Sequence, residues 1–143
     1  MWLLNYIFCS FFVFTNTPGI NNVDTNLMQI ANQGYFYAKK HKIIDSPIMM
    51  IVDYSKASTE KRLWLVNMQN KEVILNSYVA HGKNSGLNQA AYFSNKVASK
   101  KSSLGFFVTK GHYFGHHGKS IRLLGLEPNI NDNAFKRAIV IHS

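Results

Sequence analysis

Leu63-Trp64-Leu65-Val66-Asn67-Met68-Gln69-Asn70-Lys71-Glu72-Val73-Ile74-Leu75-Asn76-Ser77-Tyr78-Val79-Ala80 decides the fold class. Leu63 and Leu65 alternate with Trp64 and Val66, the polar Gln69-Asn70-Lys71 follows, and a second apolar run begins at Val73. Two-residue periodicity on both sides of a short polar break predicts a β-hairpin. Upstream, Ile48 to Tyr54 is a short apolar run after Pro47; downstream, Leu104 to Thr109, Ser120 to Leu126 and Arg137 to His142 have the same texture. Six short strands separated by Gly, Asn and Ser loops predict a mainly β domain with a sandwich or barrel-like core.

The segment from Asn22 to Lys42 differs. Val23, Leu27, Ile30, Ala31 and Ala38 recur at helical spacing, Asn22 or Asp24 can cap the start, and Lys39, Lys40 and Lys42 gather where the helix dipole is negative. One N-terminal helix over 22–44 is therefore expected, weakened by Gly34, with the β domain over 45–143. Before it, Trp2 to Phe14 form an apolar block followed by Asn16-Thr17-Pro18-Gly19. Residues 1–20 read first as a secretory signal with this block as its apolar region; the alternative is an apolar N-terminal segment, either a buried first strand or a remodelled N-terminus, which the absence of any Lys or Arg before Lys39 supports.

Composition narrows the classes. At 143 residues the chain has room for one domain, and 46% hydrophobic residues exclude a disordered chain. No apolar run reaches the ~20 residues of a transmembrane helix, so no integral membrane span is expected. The single cysteine, Cys9, excludes an intramolecular disulfide and a thiolate-only zinc site. The net charge is +9, and no acidic residue lies between Glu72 and Glu127, where Lys83, Lys96, Lys100, Lys101, Lys110, Lys119 and Arg122 all fall. That third of the chain suits an anionic partner, whether nucleic acid, lipid or a carboxylate-rich polymer, or is a solvated lysine face. Of the 16 basic residues 13 are lysine, which weighs against nucleic acid because Arg is the bidentate reader of guanine and phosphate.

The histidines are the candidate chemistry. His112, His116 and His117 lie in Gly111-His112-Tyr113-Phe114-Gly115-His116-His117-Gly118, spaced as metal ligands can be, but with no carboxylate near in sequence; a hairpin turn lining a cleft is the better reading, and no metal is expected. His81 ends a strand and enters the Gly-rich loop Gly82-Lys83-Asn84-Ser85-Gly86, which lacks the spacing of a phosphate loop. His41 sits at the helix C-terminus, where the dipole gives it a structural reason. His142 closes an apolar strand, the place of a base for a nucleophile on the next loop.

Taken in order, Ile51-Val52-Asp53-Tyr54-Ser55-Lys56, Ser58-Thr59-Glu60-Lys61-Arg62-Leu63-Trp64, Tyr78 through Gly86, Phe93-Ser94-Asn95, Lys101 through Gly105, Gly118 through Leu123 with Gly125-Leu126-Glu127, and Asn131 through Ala134 with Arg137 through His142 resemble the murein L,D-transpeptidase catalytic-domain family, a YkuD-like branch. The likeness runs from about residue 45 to the end. It implies a bacterial envelope protein of mostly β fold, acting without a cofactor on peptidoglycan stem peptides. In the family a Cys thiolate attacks the peptide bond after the diaminopimelate of a tetrapeptide, releases the terminal D-alanine and passes the acyl group to an amine. His142 matches the family's histidine that takes the thiol proton. His81, His117, Gly118 and Arg122 match positions that line the cleft or shape its walls, and Arg122 suits a substrate carboxylate.

Two departures follow from the likeness. Ser143 stands where the family has Gly, and the Ser-x-Gly-Cys nucleophile segment is not among the 143 residues. The expectation is a domain truncated before its nucleophile, without transpeptidase turnover as it stands, in the periplasm or cell envelope. The alternatives are a non-catalytic peptidoglycan-binding module and a small basic nucleic-acid-binding β-domain, the latter disfavoured by the family blocks, so no nucleic acid partner is expected. The sequence leaves the oligomeric state open.

Overall fold

The computed structural model describes residues 8–12 and 23–142. Asn22, Ser143 and residues 1–7 and 13–20 of the signal reading, including Asn16-Thr17-Pro18-Gly19, lie outside the described residues. Strands β1 (Phe8–Phe12), β2 (Ile48–Asp53), β3 (Leu63–Asn67), β4 (Glu72–Ser77), β5 (Gly105–Gly115), β6 (Gly118–Gly125) and β7 (Val140–His142) join one sheet in the order β4-β3-β2-β1-β5-β6-β7. Two antiparallel triplets, β2-β3-β4 and β5-β6-β7, meet through β1, which runs parallel to β2 and antiparallel to β5. Among the described residues there is one helix, α1 (Thr25–Lys40), so the protein is mainly β with a single helix, as its periodicities predict.

The Asp24 carboxylate caps α1, accepting from Asn26 N at 2.9 Å and Leu27 N at 3.1 Å. Leu27, Ala31, Tyr35 and Ala38, on one stripe, are buried against Met49, Ile51, Trp64, Val66 and Val108, so the helix covers one face of the sheet. Gly34, read from sequence as a weakness, has a packing reason: a Cβ there would lie 2.2 Å from Phe106 Cε1. Alanine at this site gains ~1 kcal/mol of helix propensity but drives the ring from its seat, at ~1–3 kcal/mol for an overpacked core. Gly34→Ala is therefore expected to lower the midpoint of thermal unfolding, and a raised midpoint would show that the ring moves freely.

The other face is covered without a second helix. Val52, Tyr54, Leu63, Phe107 and Leu123 are buried beneath Ala90 and Ala134, which come from the long connections between β4 and β5 and between β6 and β7. Of the apolar residues in these connections only Ala90 and Ala134 are fully buried, so polar side chains hold the connections down. Buried Asn131 donates from Nδ2 to Leu104 O at 3.0 Å, Phe106 O at 3.1 Å and Glu127 Oε2 at 3.0 Å, while its Oδ1 accepts from Glu127 N. The Arg137 guanidinium donates to Ser94 O, Ser99 Oγ, Lys101 O and Ser103 Oγ, tying one connection to the other. Burial holds its pKa below the ordinary guanidinium value.

Candidate functional site

Across β5, β6 and β7 the register aligns Tyr113 with Ser120 and Ser120 with His142. Residues opposite one another in an antiparallel ladder share a face, so the three side chains form one row. Ser120 is buried, its hydroxyl donating to Gly118 O at 3.2 Å. Strand β5 extends to Gly115, paired with Gly118, leaving His116 and His117 as the two-residue turn of the hairpin. His112 stands within the strand, opposite Ile121. The turn brings the His117 ring flat onto His142, with centroids 4.6 Å apart and 18° between planes, and sets His116 edge-on to His117 at 5.1 Å. Among the described residues no three His, Cys, Asp or Glu side chains group as metal ligands.

Arg122, two residues beyond Ser120, projects to the same face and pairs in register with Val140. Its guanidinium carbon lies 4.7 Å from the Tyr113 ring centre and 5.4 Å from that of Phe135. Among the described residues it forms no hydrogen bond or ion pair, so its donors stay available in a half-buried setting. His142, His117, Gly118 and Arg122 thus come together at one edge of the sheet.

His81 belongs elsewhere. Its Nδ1 lies 2.8 Å from Arg62 Nη2, and a guanidinium can only donate, so Nδ1 accepts and Nε2 carries the proton that it donates to Gly86 O at 3.2 Å. Both ring nitrogens are engaged in bracing the 81–86 loop. Arg62, fully buried just before β3, also donates to Val79 O from Nε at 3.1 Å and Nη2 at 2.9 Å, and to Lys56 O from Nη1 at 2.9 Å, beneath the Tyr54 ring. Burial lowers its pKa, opposed by Tyr54, Asp53 and Glu60. In the sequence Arg62 is one residue of the Ser58 to Trp64 block, and nothing in a one-dimensional pattern separates a buried arginine from a solvated one. Tyr113 was missed likewise, because cross-strand register places it beside Arg122, and Phe135 because the path of the β6–β7 connection does.

Cys9 lies on β1, three strands from β7. Three spacings of ~4.8 Å put the two strands about 14 Å apart, beyond any proton transfer between Cys9 and His142.

The molecule is thus a mainly β domain whose sheet edge carries paired imidazoles beside an arginine with available donors. The L,D-transpeptidase catalytic domain matches residues 20–143, and the chain belongs to that family. The match begins well upstream of residue 45 and takes in α1. No curated protein and no solved structure matches the chain.

Proposed function

We propose that this chain provides the histidine and carboxylate-reading side of a site that acts on peptidoglycan stem peptides in the cell envelope. The observation that carries the reading is the edge formed by His142, His117, Ser120 and Arg122, in a chain of the L,D-transpeptidase family. In that reading His142 matches the histidine that, in family members carrying the nucleophilic cysteine, accepts the thiol proton; the stacked His117 ring restricts the rotation of its imidazole, and Arg122 takes a carboxylate of the peptide as a bidentate partner. Gly118 supplies the positive φ of +75° with which the hairpin turn returns into β6, and His81 shapes a wall through its loop rather than touching substrate.

The thiol is not Cys9, for the reason of distance. Incubated with a carbapenem, the 143-residue chain is expected to keep its unmodified mass, and an adduct on Cys9 would contradict the assignment of His142. Peptide recognition tests the rest. A fluorescent stem tetrapeptide should bind saturably, and Arg122→Ala should weaken binding about tenfold or more, the scale of a charge-assisted hydrogen bond at ~1.5–3 kcal/mol. Absence of saturable binding, or equal binding by Arg122→Ala and His142→Ala, overturns the reading.

A second reading, a module that holds peptidoglycan without cutting it, is favoured by the exposed Lys83, Lys96, Lys100, Lys110 and Lys119. It predicts retention on isolated sacculi that falls steeply with salt, since exposed charges are screened over ~8 Å at physiological ionic strength, and that is unaffected by His142→Ala.

A further inference from the structure

Arg122 is held by two rings from different parts of the fold. Tyr113 comes from β5, one strand away and in the same row as Ser120 and His142; Phe135 comes from the connection between β6 and β7. Contacts of 4.7 Å and 5.4 Å from the guanidinium carbon lie within the ~6 Å range of a cation–π interaction. Neither ring takes a hydrogen bond from the guanidinium, so the contact constrains the group while leaving its donors available.

We infer that Tyr113 and Phe135 are positioning residues that preset the Arg122 fork for a carboxylate. The inference rests on the reading of the site as a stem-peptide site and adds the part of the fold that makes Arg122 selective. An arginine on an open strand has many rotamers, all but one of which must be given up when a carboxylate binds in two-point fashion. Ring contacts from β5 and from the 126–139 connection confine it beforehand, so the ordering is met during folding instead of during binding. The aromatic faces also exclude water from the guanidinium, which strengthens its attraction for an anion. Ring faces are what matter here, and the Tyr113 hydroxyl has no part.

The test is a ratio. The whole chain is titrated with a stem tetrapeptide bearing free carboxylates and with the same peptide fully amidated. The wild type should prefer the carboxylate form about tenfold or more. Tyr113→Leu and Phe135→Leu should each reduce that preference about three- to fivefold with little change for the amidated peptide, and Tyr113→Phe should restore it. A residue that only supports the fold would shift both affinities together. Phe135→Leu, at a position 40% exposed, guards against the failure of a Tyr113 variant to fold. In the free protein, the Arg122 Nε–H resonance should show an upfield ring-current shift that both leucine variants diminish. If the wild type binds neither peptide, the stem-peptide reading falls and this inference falls with it. If the wild type discriminates and both leucine variants discriminate equally well, or if the resonance is the same in all of them, the ring contacts have no positioning role and this inference alone fails.

Discussion

Arg62→Met is expected to destabilise the protein by about 3 kcal/mol. Replacing a buried charge with an apolar side chain is often harmless when its partner is a second charge that leaves with it. Arg62 has a different set of partners. Its acceptors are Val79 O, Lys56 O and His81 Nδ1, all of which remain after the substitution. Each buried acceptor left without a donor costs ~1–3 kcal/mol, and relief from burying the guanidinium offsets only part of the sum. The His81 ring would also lose the contact that sets its tautomer. Urea unfolding measures the loss, and amide exchange should rise most around Val79 to Gly86. Arg62→Lys should recover little, because one ammonium cannot reproduce a planar fork reaching both Val79 O and Lys56 O. A loss under 1 kcal/mol for Arg62→Met would mean that water replaces the guanidinium at these acceptors.

Gly105→Ala should be at least as damaging. Gly105 opens β5 with φ +101°, outside the range that an L side chain adopts without strain. A Cβ there would also stand 1.9 Å from Glu127 Oε2 and 2.5 Å from Asn131 Nδ2. The Glu127 carboxylate accepts from Phe106 N at 2.6 Å and from Asn131, so moving it breaks the polar bracket that fastens the 126–139 connection onto β5. Strain of ~1–3 kcal/mol plus the lost buried hydrogen bonds gives a total of about 4 kcal/mol. At ~3 °C per kcal/mol for a domain of this size, the midpoint of a thermal melt should fall by roughly 12 °C. A midpoint within two or three degrees of the wild type would show that the bracket carries little of the stability.

The regular parts of this fold were legible from periodicity. Leu63 to Ser77 pairs as the hairpin its alternation predicts, Asp24 caps the helix, and the strands predicted from Ile48 and from Ser120 lie within two residues of their expected bounds. Where the reading fell short, a local signal was interrupted. Lys110 and Gly111 break the alternation, and the β5–β6 register shifts between Thr109 and His112, yet pairing resumes and carries β5 on to Gly115. The turn takes in Arg137 and Ala138, the latter at φ +54°, and β7 begins only at Val140, with three residues. The apolar block was ambiguous in kind, because a strand paired on both sides at the centre of a sheet and the apolar region of an export signal make the same demand for continuous hydrophobicity. Phe8–Phe12 forms the central strand of the sheet. Of the site, His142 and Arg122 were legible through the family blocks. The stacking of His117 on His142 was not, since it depends on where the β5–β6 turn closes.

The place of β1 bears on how the protein is made. Phe8–Phe12 leaves the ribosome before either neighbour, and its second partner, Gly105–Val108, is translated almost a hundred residues later. At ~5–20 residues per second that delay lasts about five to twenty seconds, during which an apolar segment waits without its second partner. Chaperones capture exposed apolar segments, so they compete with the sheet for such residues over that interval. Slowing translation between residues 50 and 105 is therefore expected to lengthen the time that Phe8–Phe12 spends without its second partner and to favour capture over folding.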